Sequence, residues 1–531
     1  LNLKNKKKKY QPIRNTNGQT IWANDSSGFY YIKMDENHRP SSLWFHTLNT
    51  RQSNDVLIYE ETNPAFFVNI SETLSKKYLI INIGDHETNE IYLLNKSNNE
   101  KKMFLFCKRK KGVEYSLEHD LEQSRFIVMS NVNKAVDFKI SYINENKISK
   151  NVEKYPQKIW KDLIPHRKGI LITDFAVLKD FLIIQELKES LPKIVFVNKK
   201  TRKKHEIKFD EEAYQLSFSE GVNYNNHKIR VSYSALNVPS IIYEYNLRTK
   251  KRKILKKQII PSGFDKNKYE TKRIFAKGHD GERIPLSILK LKNLKENAPT
   301  LLYGYGAYGM SMMPSFSVAR LSMVDRGMVY AIAHIRGGME KGRQWYLDGK
   351  LKKKKNTFRD FISCANYLKK TGISSDLTIH GGSAGGLLIG AALNMAPQLF
   401  KSAVADVPFV DTLNTILDAS LPLTPPEWEE WGNPILNKKD FSNIRSYSPY
   451  DNIKKQNYPD LLVTAGLTDP RVTYWEAAKW VAKLREFKTD KNNLFLKTNM
   501  NAGHAGKAGR YHQIKETAFM YAFILETHNL L

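Results

Sequence analysis

Ser383 sits in the stretch Leu377-Thr-Ile-His-Gly-Gly-Ser-Ala-Gly-Gly-Leu-Leu-Ile-Gly390, where Gly381, Ser383 and Gly385 satisfy the pattern G-x-S-x-G. That spacing suits a strand-to-helix corner tight enough to push a serine hydroxyl clear of its own backbone, ready to attack an acyl carbon. Glycines on either side let such a corner close without a Cβ clash. In a chain with 28 glycines the pattern alone is often only a turn, so its meaning depends on partners. Two stand downstream. Asp469 lies in Gly466-Leu-Thr-Asp-Pro-Arg-Val472, directly after an apolar run at 461–465, and His504 lies in Asn501-Ala-Gly-His-Ala-Gly506, shortly after another run near 494. The expected chemistry is acyl transfer: His504 takes the Ser383 proton and returns it to the leaving amine, while Asp469 orients the imidazole and stabilises its charged form.

Such residues need elements to hold them. Beyond about residue 270, buried-strand runs at 300–305, 328–335, 377–380, 402–407, 461–465 and 494–497 alternate with helical patterns, among them 358–370, 386–396, 474–487 and 511–530. This alternation predicts a mostly parallel, doubly wound sheet covered on both faces. The order nucleophile, acid, histidine, each on a loop after a strand's carboxyl end, is the order of an α/β-hydrolase. A hairpin with Asp280-Gly281 in its turn precedes the alternation. From Gln19 to Lys256 the pattern is different: short β-like runs fall into five successive groups, the first two of four runs each and all about the size of one four-stranded propeller blade. The expected architecture is an incomplete β-propeller of about five blades over 1–258 and an α/β-hydrolase catalytic domain over 259–531, with a β-sandwich or two small β-domains as the alternative for the first half.

Composition narrows the function classes. The formal charge of +30 invites phosphate. The lysines are spread along the whole chain, however, and no nucleic-acid-binding module is present, so nucleic acid is not an expected partner. The clusters Lys6 to Lys9 and Lys352 to Lys355 read the same way, as solvated surface. Two distant cysteines, Cys107 and Cys364, give neither a disulfide framework nor metal spacing. No apolar run is long enough to cross a membrane, and no signal peptide opens the chain, which makes a cytoplasmic location the default.

The segments Tyr303-Gly-Tyr-Gly, His334-Ile-Arg-Gly-Gly-Met-Glu, Gly381-Gly-Ser-Ala-Gly-Gly, Asp469-Pro-Arg-Val and Ala502-Gly-His resemble the prolyl oligopeptidase family of serine peptidases. Within it, Val407-Pro-Phe-Val-Asp411, Glu427-Trp-Glu-Glu-Trp-Gly-Asn-Pro434 and Ser446-Tyr-Ser-Pro-Tyr-Asp-Asn452 are similar to the oligopeptidase B type. The resemblance implies an endopeptidase that cuts short peptides after Arg or Lys and needs no metal or cofactor. It implies that the Tyr305 hydroxyl and the Ala384 N–H serve the oxyanion, that Glu427 and Glu429 face the substrate guanidinium with Phe409 stacked on it, and that Arg471 holds a peptide carbonyl. Acidic residues that favour a second basic residue in some relatives have no counterpart in Met312-Met-Pro-Ser315, so a strong dibasic preference is not expected. The family also implies seven blades and a helical N-terminal segment. About two blades and that segment are expected to be absent here, either supplied by a separate chain or lost in the remnant of a decaying gene. An esterase or another subtype on the same fold is the enzymatic alternative.

Overall fold

The computed structural model describes residues 12–97, 103–148, 160–221 and 223–531. The cluster Lys6 to Lys9 lies outside them. The first half builds five four-stranded antiparallel meanders: β1–β4 (Thr16–Glu60), β5–β8 (Phe67–Cys107), β9–β12 (Tyr115–Ile164), β13–β16 (Leu171–Ile207) and β17–β20 (Tyr214–Lys257). These are the five groups expected from the pattern. Apolar residues of consecutive sheets are buried against one another. Ile32, Leu43 and Phe45 of the first sheet meet Val68, Leu79 and Ile81 of the second, and Phe181, Ile183 and Phe196 of the fourth meet Leu216, Val231 and Tyr233 of the fifth. Cores lying between consecutive sheets are how propeller blades bury surface that no single meander could.

The second half forms one eight-stranded sheet in the order β21-β22-β24-β23-β25-β26-β27-β28. Its strands are β21 (Tyr269–Lys277), β22 (Arg283–Leu291), β23 (Ala298–Tyr303), β24 (Val329–Ala333), β25 (Ser374–Gly382), β26 (Ser402–Asp406), β27 (Asp460–Gly466) and β28 (Leu494–Asn499). The first two form the expected hairpin, closed by a loop in which Gly278 N–H donates to Glu282 O at 2.7 Å. From β24 to β28 every pairing is parallel. The helices that cover it are α1 (Val318–Val324), α2 (Arg343–Leu347), α3 (Lys355–Lys370), α4 (Ala384–Met395), α5 (Thr412–Leu417), α6 (Thr424–Trp431), α7 (Lys438–Arg445), α8 (Tyr474–Phe487) and α9 (Arg510–Thr527). In α3 the buried residues Phe358, Phe361, Cys364, Ala365 and Leu368 recur at helical spacing, and its lysines fall elsewhere. α4 is buried along nearly its whole length, as its run of small and aliphatic residues allows.

One expectation fails here. The Lys352 to Lys355 run is not uniformly solvated, because the Lys354 side chain is only 2% exposed. Its ammonium donates to Gly306 O at 2.6 Å, lies 4.8 Å from the Trp431 ring centroid and is 4.0 Å from a Glu430 carboxylate oxygen. A buried cation persists only with such partners. Burial pulls its pKa down to about 8, with Glu430 opposing the shift. Among the described residues no helix is long and apolar enough to cross a membrane.

Candidate active site

Ser383 occupies the corner between β25 and α4 with φ 57° and ψ −121°, a conformation that costs a non-glycine residue of order 1–3 kcal/mol. Its neighbours explain why the corner holds. Gly381 has no room for a side chain, since a Cβ there would lie 2.4 Å from Gly385 O, and one on Gly385 would lie 3.0 Å from Gly304 O. Ser383 N–H donates to Asp406 O at 2.8 Å, and Ser383 O accepts from Gly386 N–H and Phe409 N–H at 2.8 and 3.0 Å. The strained residue is thus pinned between β26, the first turn of α4 and the loop that carries Phe409. Ala384 opens α4, where first-turn N–H groups have no carbonyl within the helix to bond.

Asp469 and His504 lie on the loops after β27 and β28. His504 Nδ1 donates to Asp469 Oδ2 at 2.7 Å. The other carboxylate oxygen accepts from Arg471 N–H at 2.8 Å and Val472 N–H at 3.0 Å. The carboxylate is fully buried while the imidazole stays 21% exposed. Burial pushes the Asp469 pKa up, but His504 and the two amides outweigh it and leave the group below its usual range. Asp469 is therefore held as an anion, the state that fixes the tautomer of His504. No hydrogen bond among the described residues joins His504 to Ser383. Contacts of this kind are commonly long in substrate-free enzymes and tighten in the complex. A cavity of about 460 Å³ opens beside His504, walled by Asp406, Thr464, Lys497, Asn499 and Glu516, and Ser383 is not part of its wall.

Tyr305 follows β23, and its phenol lies close enough to Ser383 for the serine to affect its ionisation. Burial and the negative charge of Glu427 push its pKa up to about 12, opposed by Ser383, so at neutral pH the hydroxyl is a donor. Glu427, on α6, is enclosed by aromatic donors: Tyr308 Oη–H at 2.6 Å and Trp431 Nε1–H at 2.5 Å both reach its Oε2. Phe409 packs on Trp431 with ring centroids 5.4 Å apart. Burial raises the pKa of Glu427, and the two aromatic donors oppose the rise.

Glu427 and Glu429, expected to act together, have different neighbours on α6. Residues two apart on a helix do not share a face, and α6 turns Glu429 towards the propeller, where Lys111 Nζ lies 2.9 Å from its Oε1. Glu430, which sequence reasoning passed over, is buried beside Tyr308. It accepts from Tyr308 N–H at 3.1 Å and from Tyr346 Oη–H at 2.7 Å. The signal was present: Pro425 marks the first turn of a helix, and i to i+3 spacing then puts Glu430 beside Glu427. Arg471 is exposed at the mouth, close enough to lower the pKa of Tyr305. Among the described residues no three His, Cys, Asp or Glu side chains are grouped to hold a metal ion.

A strained serine at a strand end, a paired aspartate and histidine on later loops, and a propeller packed beside them define a serine hydrolase of α/β fold with a β-propeller partner. Residues 314–530 match the prolyl oligopeptidase family and residues 1–258 match the family's N-terminal β-propeller domain. The chain is 37% identical over 520 residues to dipeptidyl aminopeptidase BI of Pseudoxanthomonas mexicana, covering 97% of this chain and 70% of that protein. It is 36% identical over 513 residues to protease 2 of Moraxella lacunata, covering 96% and 72%. Among solved structures, oligopeptidase B from Leishmania major superposes with a TM-score of 0.90 at 37% identity, covering 97% of this chain and 72% of that one. The chain belongs to the prolyl oligopeptidase family and is a serine peptidase of the oligopeptidase B and protease 2 type.

Proposed function

We propose that this peptidase cleaves short peptides after arginine or lysine, with Ser383 as nucleophile, His504 as general base and acid, and Asp469 as the group that orients it. Ser383 Oγ attacks the substrate carbonyl as its proton passes to His504. The oxyanion is held by the Tyr305 hydroxyl and the Ala384 N–H, and Arg471 steadies a neighbouring peptide carbonyl. His504 then protonates the leaving amine, and a water activated by the same imidazole hydrolyses the acyl-enzyme. Domains at 1–258 and 259–531 and a cytoplasmic location belong to the same reading.

The observation that carries the specificity is the carboxylate of Glu427, reached from Ser383 through one short chain of contacts. Phe409 N–H bonds Ser383 O, the Phe409 ring packs on Trp431, and the Trp431 indole bonds Glu427. A partly buried carboxylate among aromatic rings offers a guanidinium a charge-assisted bond and a face to stack on. An uncharged side chain leaves that anion unpaired, which is a strong penalty.

The test is turnover of a benzoyl-arginyl amide by the purified chain beside the matching neutral amide. The arginyl amide is expected to be cleaved about 100-fold faster, and Ser383→Ala to lower its turnover by about 10⁴-fold or more. Equal rates on the two amides would remove the basic specificity and favour an esterase or another subtype. Since one relative is named an aminopeptidase, a dipeptidyl amide with a free amino terminus belongs in the same assay. Preference for it over the blocked substrate would replace the endopeptidase reading.

A further inference from the structure

Glu429 already holds a cation in the substrate-free molecule. Lys111 lies on the propeller connection between β8 (Met103–Cys107) and β9 (Tyr115–Asp120), and its Nζ is 2.9 Å from Glu429 Oε1. That connection is fastened in place. Gly112 N–H donates to Thr88 Oγ1 at 3.0 Å and Asn89 N–H to Val113 O at 3.2 Å, which ties it to the loop between β6 (Tyr78–Gly84) and β7 (Asn89–Asn95). Asp85 Oδ1 shapes that second loop by accepting from the N–H groups of Glu87 and Thr88, each at 2.7 Å. Glu87 anchors it to the catalytic half through Lys350 Nζ at 2.6 Å, and His86 lies with its ring 6.3 Å from that of Tyr308. Two linked loops therefore bring a lysine to Glu429 and a histidine to the aromatic donor of Glu427. The Lys111 side chain itself is 83% exposed and free to swing away.

We propose that Lys111 is a resident counter-cation for the substrate site: it neutralises Glu429 in the empty enzyme and is displaced when the guanidinium or ammonium of the substrate arrives. This rests on the reading that α6 receives the basic side chain. A lysine ammonium carries the same charge as the group the site takes and competes for the same oxygen. An exposed ion pair is weak, so the competition lowers affinity without blocking the site. It raises the KM of basic substrates and leaves neutral ones alone.

The experiment compares wild type with Lys111→Met, Lys111→Arg, Glu427→Gln, Glu429→Gln and the double variant Lys111→Met with Glu429→Gln, on the benzoyl-arginyl amide and on a neutral ester. Lys111→Met is expected to lower the KM of the arginyl amide by about two- to fivefold, the range of an exposed ion pair, with kcat unchanged and the neutral KM unmoved. Lys111→Arg is expected to keep the wild-type KM, and the double variant to match Glu429→Gln. If Glu429→Gln raises the arginyl KM while Lys111→Met leaves it unchanged or raises it, the counter-cation idea is overturned and the reading of α6 survives. A parallel change in kcat, or in the neutral KM, marks loosened packing and equally overturns it. If neither Glu427→Gln nor Glu429→Gln affects the arginyl KM, both readings fall together.

Discussion

The eight-stranded sheet and the five four-stranded sheets deliver functional groups in different ways. In the first, parallel pairing from β24 to β28 forces the loops after β23, β25, β26, β27 and β28 to the same edge, so Tyr305, Ser383, Phe409, Asp469 and His504 converge however far apart they lie in sequence. In the second, antiparallel meanders send successive loops to opposite ends. A propeller side chain reaches the site only where a connection happens to face it, as those bearing His86, Glu87 and Lys111 do. The sheet edge thus builds chemistry, and the propeller connections adjust charge around it. Variants in the first region should change kcat by orders of magnitude, and variants in the second should act on KM or on the docking of the halves.

The largest effect that sharpens this division is expected at Tyr305. Its phenol is kept protonated by burial and by Glu427, beside the Ser383 hydroxyl. Tyr305→Phe removes the donor and keeps the ring, so kcat is expected to fall by about 100-fold or more with KM little changed, the usual cost of one oxyanion donor. Steady-state kinetics on the arginyl amide measure it. A loss confined to KM would move Tyr305 from the oxyanion to substrate packing and blur the contrast between the regions.

A smaller effect tests the border between them. Burial raises the pKa of Glu427, so on acidification it loses its charge before an ordinary carboxylate does. Once neutral it no longer attracts a guanidinium. The KM of the arginyl amide is therefore expected to rise by about tenfold as pH falls towards the carboxylate range, the scale of one charge-assisted hydrogen bond. Any change in the catalytic groups slows basic and neutral substrates alike, so the ratio of their kcat/KM values isolates Glu427. Glu427→Gln should flatten that ratio against pH. A ratio that still varies in Glu427→Gln would assign the titration to another group.

The same contrast explains what could be read before the structure. The five strand groups, the parallel alternation, the Ser383 corner and the Asp469 and His504 loops were legible because each rests on a local pattern that topology then converts into proximity. Lys354 was misread as surface because nothing within its own run of lysines shows that Gly306, Trp431 and Glu430 will enclose it. Glu427 and Glu429 were paired through the family resemblance, and the helical turn of their own segment was not read. As a helix it sends the two carboxylates to different faces. Lys111 offered no signal at all, since its partner is 318 residues away. Side chains that act across domains carry no local signature.

The smallest expected change in activity comes with the sharpest test of docking. Lys350 is 3% exposed, with its ammonium between Glu87 of the propeller at 2.6 Å and the Tyr346 hydroxyl at 3.0 Å. Tyr346 in turn donates to Glu430, which accepts from the backbone of Tyr308. Lys350→Met keeps the length of the side chain and removes its charge, which leaves Glu87 with only the more distant Arg343 guanidinium at 4.0 Å, a loss of at most about 3 kcal/mol. The penalty falls on the joint between the halves, so the thermal transition should drop or split in two, with the propeller transition separating from that of the catalytic sheet. Turnover should fall by only a few-fold, because Ser383, Asp469 and His504 hang from the sheet and not from this pair. A variant that keeps one unshifted transition would show that the other contacts, such as Arg343 N–H to Asp137 Oδ1 at 2.7 Å and Ser190 N–H to Glu340 O at 2.7 Å, suffice to hold the halves together. Loss of turnover on the scale of Tyr305→Phe would instead show that the chain from Glu87 to Tyr308 positions the catalytic groups, and that the propeller takes part in the chemistry it borders.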